Sequence, residues 1–450
     1  MLNCEFDMSS FKNEIFTAFD ALIPPGPLLV GFSGGLDSTV LLHLLHEYTA
    51  RQSSLYQLKA IHVHHGISAN ADDWAEHCRV ICEKLTIPFL VERVSLIRES
   101  RQSLEAIART ARYQVFEKYL EGGALITAHH QDDQLETLLL ALKRGSGPRG
   151  LAGMPAVMSF AHGKLIRPLL NFSREDMERW AIETGLTWIN DESNADNTYD
   201  RNFLRNEIIP HLKQRWPELG KTAARSAELC AEQENLITDI AAQDLSMVIC
   251  DNGALDIAKL SLLSEPRRHQ VLRFWLREKT ALVPSAHQLH LIWQEVALAR
   301  EDATPLLVWE AGTIRRYRNQ LWLQNQEMVE EVNIPELILN HTYDFQIAIL
   351  NLHITENEVT GLRLPFHDEV VSICFNLSGS TKVHPSNRQH QRELKKLWHE
   401  FNVAPWLRSI WPVICYNGQV VAIPGLFIVK EFQTEVAGLK IKIMWEEKER

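Results

Sequence analysis

Cysteine is scarce and scattered. Seven thiols stand in 450 residues (Cys4, Cys78, Cys82, Cys230, Cys250, Cys374 and Cys415), an odd number with no C-x-x-C pair. That excludes a disulfide framework and leaves no signature of a zinc ribbon or iron–sulfur centre. Cys78 and Cys82, four apart on a predicted helix, read as ordinary partly buried thiols. Positive charge is short as well: 46 Lys and Arg face 57 Asp and Glu, a formal net charge of −11. A wholly basic surface is thereby excluded, though not a local patch acting within a Debye length. No run of about eighteen apolar residues occurs, and the N-terminus carries Glu5 and Asp7 with no basic stretch ahead of an apolar one. Neither a membrane span nor a secretory leader is predicted. A soluble cytoplasmic chain is the expectation.

What the chain does have is 45% hydrophobic residues, ample at this length for about two to four domains. One stretch stands out. Leu28, Leu29 and Val30 lead through Gly31-Phe32-Ser33-Gly34-Gly35-Leu36-Asp37-Ser38 into a helix-spaced apolar run. Strand, glycine turn and helix in succession is the setting in which such a turn binds phosphate. Gly34 and Gly35 accept positive φ at little cost, so backbone N–H groups from Ser33 to Ser38 can turn inward at a helix N-terminus. Ser33 and Ser38 add hydroxyls, and Asp37 supplies a carboxylate for the Mg²⁺ that accompanies a nucleotide. The lysine of a G-x-x-x-x-G-K-S/T loop is absent. A different bond of ATP is therefore predicted to break.

From residue 28 to about 170, short apolar runs alternate with helical periodicity, which predicts an α/β fold. Its doubly wound, mainly parallel sheet would carry a site at the strand carboxyl ends. Residues 1–216 are assigned to this ATP-binding catalytic domain. Near Pro210, Trp216, Pro217 and Gly220 the alternation stops. Residues 217–327 read as a mainly helical middle domain, closing in a hairpin of 306–309 with 320–323. After an irregular stretch near 328–360, residues 355–444 read as a small α/β domain whose strands flank one basic helix.

Two clusters end predicted strands: His62-Val63-His64-His65 and Ala128-His129-His130-Gln131-Asp132-Asp133. Both would face the cleft, with His62 and His64 shaping it around the nucleotide. A zinc site is disfavoured, since the clusters lie on separate strands and nothing fixes a tetrahedral geometry. Asp132 falls where a helix N-cap belongs. Asp133 and Glu136, three apart, share a helical face and can grip an ammonium group. Arg109 and Arg112, beside Tyr113, suit phosphate contacts, or else form a solvated helix face. Lys143, Arg144 and Arg149 sit in a glycine-rich basic loop that can close over phosphates or RNA, and Arg201 and Arg205 enter a helix four apart. Farther on, Lys382, Arg388, Arg392, Lys395 and Lys396 face one acid, Glu393, while Leu394, Leu397, Trp398 and Phe401 keep helical spacing. A basic helix on an apolar anchor is a candidate phosphate-binding face.

The S-G-G-x-D-S turn at Ser33–Ser38 resembles that of the PP-loop ATP pyrophosphatases. The order of the pieces resembles one branch of them, the tRNA(Ile)-lysidine synthetases. The likeness runs through His62-x-His64-His65-Gly66, Ala108-Arg109-x-x-Arg112-Tyr113, His129-x-x-Asp132-Asp133-Gln134-x-Glu136-Thr137, Gly145-Ser146-Gly147-x-x-Gly150-Leu151 and Arg201-Asn202-x-x-Arg205. It resumes at Glu393-Leu394-Lys395-Lys396-Leu397-Trp398. The resemblance implies that ATP adenylates the C2 oxygen of the wobble cytidine in an isoleucine tRNA with anticodon CAU. Free L-lysine then displaces AMP to give lysidine, so that the codon read changes from AUG to AUA. It further implies ATP and Mg²⁺ as cofactors, Asp37 as metal ligand, and Arg109, Arg112, Asp133 and Glu136 as catalytic, with the last two holding lysine. Lys143, Arg144, Arg149, Arg201, Arg205, Arg388, Arg392, Lys395 and Lys396 would contact tRNA; a homodimer is admitted. A thiolase of the same superfamily would need cysteine pairs, and a small-molecule amide synthetase would not need the basic helix. A non-catalytic RNA-binding protein is opposed by the intact Ser33, Asp37 and Ser38.

Overall fold

The computed structural model describes residues 7–51, 54–96, 104–280, 282–300, 303, 305–325, 341–345, 347–356, 360–435 and 439–447. The chain divides into two compact units, Met1–Leu236 and Ile237–Arg450.

The first unit alternates strand and helix along the chain. It runs α1 (Met8–Leu22), β1 (Gly26–Gly31), α2 (Leu36–Ala50), β2 (Tyr56–His64), α3 (Ala71–Lys84), β3 (Phe89–Arg93), α4 (Leu104–Tyr119), β4 (Ala124–Ile126) and α5 (Gln131–Lys143). It continues with α6 (Pro148–Leu151), β5 (Val157–Phe160), β6 (Gly163–Ile166), α7 (Arg174–Glu183), α8 (Asp200–Phe203) and α9 (Ile209–Arg215), and reaches α10 (Leu219–Val248). The sheet order is β3-β2-β1-β4-β6-β5, parallel except for the β5–β6 pair. This is the expected doubly wound sheet, with its switch point between β1 and β4. Strand period 2 explains how it is covered on both faces. Leu28 and Val30 pack with Phe19 of α1, Leu41 and Leu44 of α2 and Trp180 of α7. Leu29, between them, packs with Ile61, Leu125, Leu165 and Phe116 of α4. Truncating Leu41, fully buried, to Ala should cost about 2–5 kcal/mol.

The division falls inside α10, beyond the expected limit at residue 216. The reason is packing: Ala223 joins Leu135 and Ile209 in a small core, while Val248 belongs to the core of the second unit.

That second unit holds β7 (Leu255–Asp256), α11 (Ile257–Ser261), α12 (Glu265–Lys279), α13 (Ala286–Leu291), β8 (Leu306–Trp309), β9 (Gly312–Tyr317) and β10 (Gln320–Asn325). The expected hairpin of 306–309 with 320–323 is instead a meander. β9 lies between the two strands and pairs with both, and β7 adds to the free side of β10. The arginines Arg315 and Arg316 interrupt the apolar alternation of β9 and hid it from the sequence pattern.

The terminal part comprises β11 (Thr342–Asp344), β12 (Ala348–Thr355), β13 (Gly361–Leu362), β14 (Val371–Cys374), β15 (Lys382–Val383), β16 (Arg392–Glu393) and α14 (Leu394–Glu400). It ends with β17 (Val413–Tyr416), β18 (Gln419–Ile423), β19 (Phe427–Ile428), β20 (Gln433–Thr434) and β21 (Lys440–Glu447). Two antiparallel sheets, β11-β12-β21-β13-β20 and β14-β17-β18-β19, dominate it. Thr342–Asp344 and Ala348–Thr355, within the stretch read as irregular, form β11 and β12; residues 326–340 and 346 lie outside the described set. Leu394, Leu397 and Trp398 of α14 are buried and Phe401 packs beside them, as their spacing predicts.

Candidate active site

A cavity of about 570 Å³ opens at the carboxyl ends of β1, β2 and β4, lined by Ser33, Asp37, His62, Arg109 and Asp133 among others. Its floor is the glycine turn. Gly34 has φ +83°, and a Cβ there would lie 2.5 Å from Ile189 Cδ1 and 2.8 Å from Cys78 Sγ, so backbone angle and space both demand glycine. Ile189 N–H donates to the Gly34 carbonyl at 2.9 Å. The Ser33 and Ser38 hydroxyls lie 3.0 Å apart, and Ser38 donates to the Gly35 carbonyl. Leu36 turns its side chain into the core, leaving it only a backbone N–H to offer a ligand.

Asp37 stands on the first turn of α2. Its Oδ1 is buried and accepts no hydrogen bond; Arg174 Nε, from the start of α7, is 3.7 Å away. Its Oδ2 is 3.5 Å from His130 Nε2. His130, not Asp132, caps α5. Its Nδ1 accepts the Asp132 N–H at 3.2 Å, while the Asp133 carboxylate accepts the His130 N–H at 3.0 Å. Burial opposes charge on His130, but Asp133 and Asp37 outweigh it and raise its pKa. Asp132, predicted as the cap, instead pairs with Lys213 and accepts the Arg174 N–H.

The expected ammonium grip is otherwise engaged. Glu136 is fully buried; Arg205 donates to it through Nε at 2.7 Å and Nη2 at 3.1 Å, and Arg201 Nε lies 3.4 Å away. Burial pushes the Glu136 carboxyl up, against the two guanidinium charges; the two-point bond from an always-charged group keeps it ionised. Arg205 Nη2 also reaches Asp133 at 2.9 Å. Burial works against the Asp133 charge too, but His130, His129 and Arg205 hold its carboxyl below the usual range. Asp133 lines the cavity and Glu136 does not. Arg201 and Arg205, expected on a tRNA-facing surface, thus point into the cavity onto carboxylates.

The histidines divide by role. His62 Nδ1 bonds the Phe32 carbonyl at 3.0 Å, buttressing the turn, and burial lowers its pKa. His64 faces Asp72 and Arg93 at the sheet edge. His65 Nε2 accepts from Arg112 at 3.4 Å; burial and that cation bring it down to about 4. His129, bonded to Thr127 Oγ1 at 2.9 Å, is also lowered to about 4, chiefly by burial and against the pull of Asp133. Arg109 lies over the Tyr113 ring, 4.9 Å from its centroid.

Cradle, carboxylates and arginines occur together in a chain matched by three family models. The PP-loop domain covers residues 9–212, the TilS substrate binding domain 255–322, and the TilS substrate C-terminal domain 371–445. A tRNA(Ile)-lysidine synthase of Enterobacter sp. (strain 638) is 45% identical over 91% of this chain and 95% of its own length. One of Shigella flexneri is 46% identical over 91% and 94%. The chain belongs to the tRNA(Ile)-lysidine synthase family. It is accordingly a ligase of PP-loop type, and its first unit is the ATP-using part.

The other expected contacts of this lysidine synthase family member lie on the surface. Lys143 pairs with Asp200 at 2.6 Å, whereas Arg144 and Arg149 are exposed. In the terminal part Arg388 and Arg392 meet Glu400 at 3.2 and 3.0 Å, and Lys395 and Lys396 share Glu393 at 3.3 and 3.5 Å. Sequence reasoning missed Arg174 and His130 as cap, whereas His65, expected to face the cleft, lines the cavity. A lone arginine after Ser173 gives no signal, and a histidine cap is too rare to be chosen over an adjacent aspartate. Among the described residues no helix is long and apolar enough to cross a membrane.

Proposed function

We propose that this chain joins free L-lysine to C2 of the wobble cytidine in the isoleucine tRNA with anticodon CAU, consuming ATP to AMP and pyrophosphate. The observation that carries this reading is one cavity in which a phosphate-cradling turn faces arginines and carboxylates. The C2 carbonyl of cytosine is a poor electrophile, and AMP transfer turns its oxygen into a leaving group. The amides and hydroxyls of Ser33–Ser38 hold the pyrophosphate. Arg174, beside Asp37, adds a cation to it, and Arg109 and Arg112 stabilise charge on the α-phosphate. The buried, hydrogen-bond-free Asp37 Oδ1 fits a divalent cation, so Asp37 would hold Mg²⁺, which supplies charge neutralisation when bound.

For lysine, Asp133 is the carboxylate within reach. Glu136 acts one step back, fixing Arg205 and through it Asp133. Arg144, Arg149, Lys395 and Lys396 offer phosphate contacts to tRNA. A chain acting on free tRNA with ATP works in the cytoplasm. The test is incubation with ATP, Mg²⁺, total tRNA and radiolabelled lysine, followed by nucleoside analysis. Label in a modified cytidine is expected. ATP cleavage dependent on tRNA without that label would overturn lysine as the second substrate.

A further inference from the structure

Away from the cavity, α12 and α13 bring three ligand-type side chains together. Glu265 opens α12 behind the Ser264 cap, and His269 follows one turn later on the same face. His290 belongs to the last turn of α13. One ligand atom from each lies within 4.8 Å of the other two. His290 Nδ1 is 3.9 Å from Glu265 Oε1, and the two imidazole rings meet edge to face at 6.2 Å. Among the described residues neither imidazole makes a hydrogen bond.

The flanking cations are engaged elsewhere. Arg267 grips the fully buried Asp244, with Nε on Oδ2 at 2.8 Å, and Arg268 lies over the Trp293 ring at 3.8 Å. Burial, with the charges of His290, Arg268 and Arg273, holds His269 below its usual pKa against the pull of Glu265.

We infer that Glu265, His269 and His290 form a binding site for a zinc-class divalent cation that clips α12 to α13, with the remaining position left to water. Two imidazoles and a carboxylate suit zinc, cobalt or nickel, whereas Mg²⁺ favours all-oxygen sites. Bonds of about 2.0–2.2 Å to a tetrahedral ion put ligand atoms about 3.4 Å apart. The gap from 3.9 Å closes by side-chain rotation, since Glu265 and His290 are 60% and 48% exposed.

The experiment titrates the full-length protein with ZnCl₂ by calorimetry, in excess Mg²⁺ so that the nucleotide site is masked. His269→Gln, His290→Gln and Glu265→Gln are run alongside. Wild type is expected to bind one more equivalent than either histidine variant, and Glu265→Gln to bind that equivalent about tenfold more weakly or worse. Zinc should raise the melting temperature of wild type and leave the histidine variants unmoved. Metal-free melting curves establish that each variant is folded; if His290→Gln melts early, His269→Gln and Glu265→Gln carry the same reading. Superimposable isotherms for wild type and the folded variants would overturn the site.

Discussion

Arg201 with Arg205 and Lys395 with Lys396 look alike in the sequence: pairs of cations near an acid on a short helical stretch. Folding separates them. The arginines are 29% and 33% exposed, line the cavity and spend their donors on Glu136, Asp133 and Thr137. The lysines are 61% and 59% exposed and share a single surface carboxylate. A surface pair of that kind contributes little, about 0–1 kcal/mol, so α14 loses little when phosphate replaces Glu393. Removing an arginine from Glu136 leaves a charge in the interior. Similar composition thus hides opposite jobs, and burial decides which is which.

The largest effect expected from probing this contrast lies in the cavity. Asp37→Ala should lower lysine incorporation by about 10²–10³-fold while tRNA affinity in a filter-binding assay stays within about twofold, because the tRNA-facing cations are untouched. Retained turnover would remove Asp37 from the metal role. Next comes Arg205→Ala, which strands the Glu136 carboxylate. Given the partial exposure of Arg205, a loss of about 3 kcal/mol is expected, the low end for one-sided removal of a buried pair, read from urea unfolding. Arg205→Ala with Glu136→Gln should recover most of it. If the single variant unfolds at the wild-type midpoint, the two cation pairs are alike after all.

On the other side of the comparison, Lys395→Ala with Lys396→Ala should leave the urea midpoint unchanged. It should weaken tRNA binding and flatten the slope of log affinity against log salt by about two. An unchanged slope would return α14 to an ordinary solvated face. The remaining contrast concerns protons. His65 and His129 sit near pH 4 in the folded chain, against about 6.5 unfolded. Between those values the unfolded chain binds more protons, so their contribution is complete above about pH 6.5 and is lost as pH falls toward 4. Urea midpoints at about pH 7, 5.5 and 4.5 should fall more steeply for wild type than for His65→Asn with His129→Gln.

Much of the catalytic unit was legible because its signals are local. The strand, the Gly34–Gly35 turn and the helix are contiguous, and the alternation through residue 170 is periodic enough to give the sheet. Less was legible where partners are distant in sequence. β12 pairs with β21, a register that no short window contains. The Glu136–Arg205 bond arises only when α5 meets the helical stretch Leu204–Ile208 that follows α8, and the approach of Arg174 to Asp37 only when α7 meets α2. Spacing placed Asp133 and Glu136 on one face correctly, but could not reveal that Arg205 already engages both.

Gly34 sits against Ile189 and Cys78, with its carbonyl tied to the Ile189 N–H. The cradle is therefore moulded from beneath before any nucleotide arrives, and no ordering cost is deducted from the affinity when phosphate lands. The same contact makes the segment between α7 and Ile189 a hidden determinant of nucleotide binding. A residue inserted there would shift Ile189 and let the turn relax, so ATP would bind more weakly with every phosphate-contacting group still present.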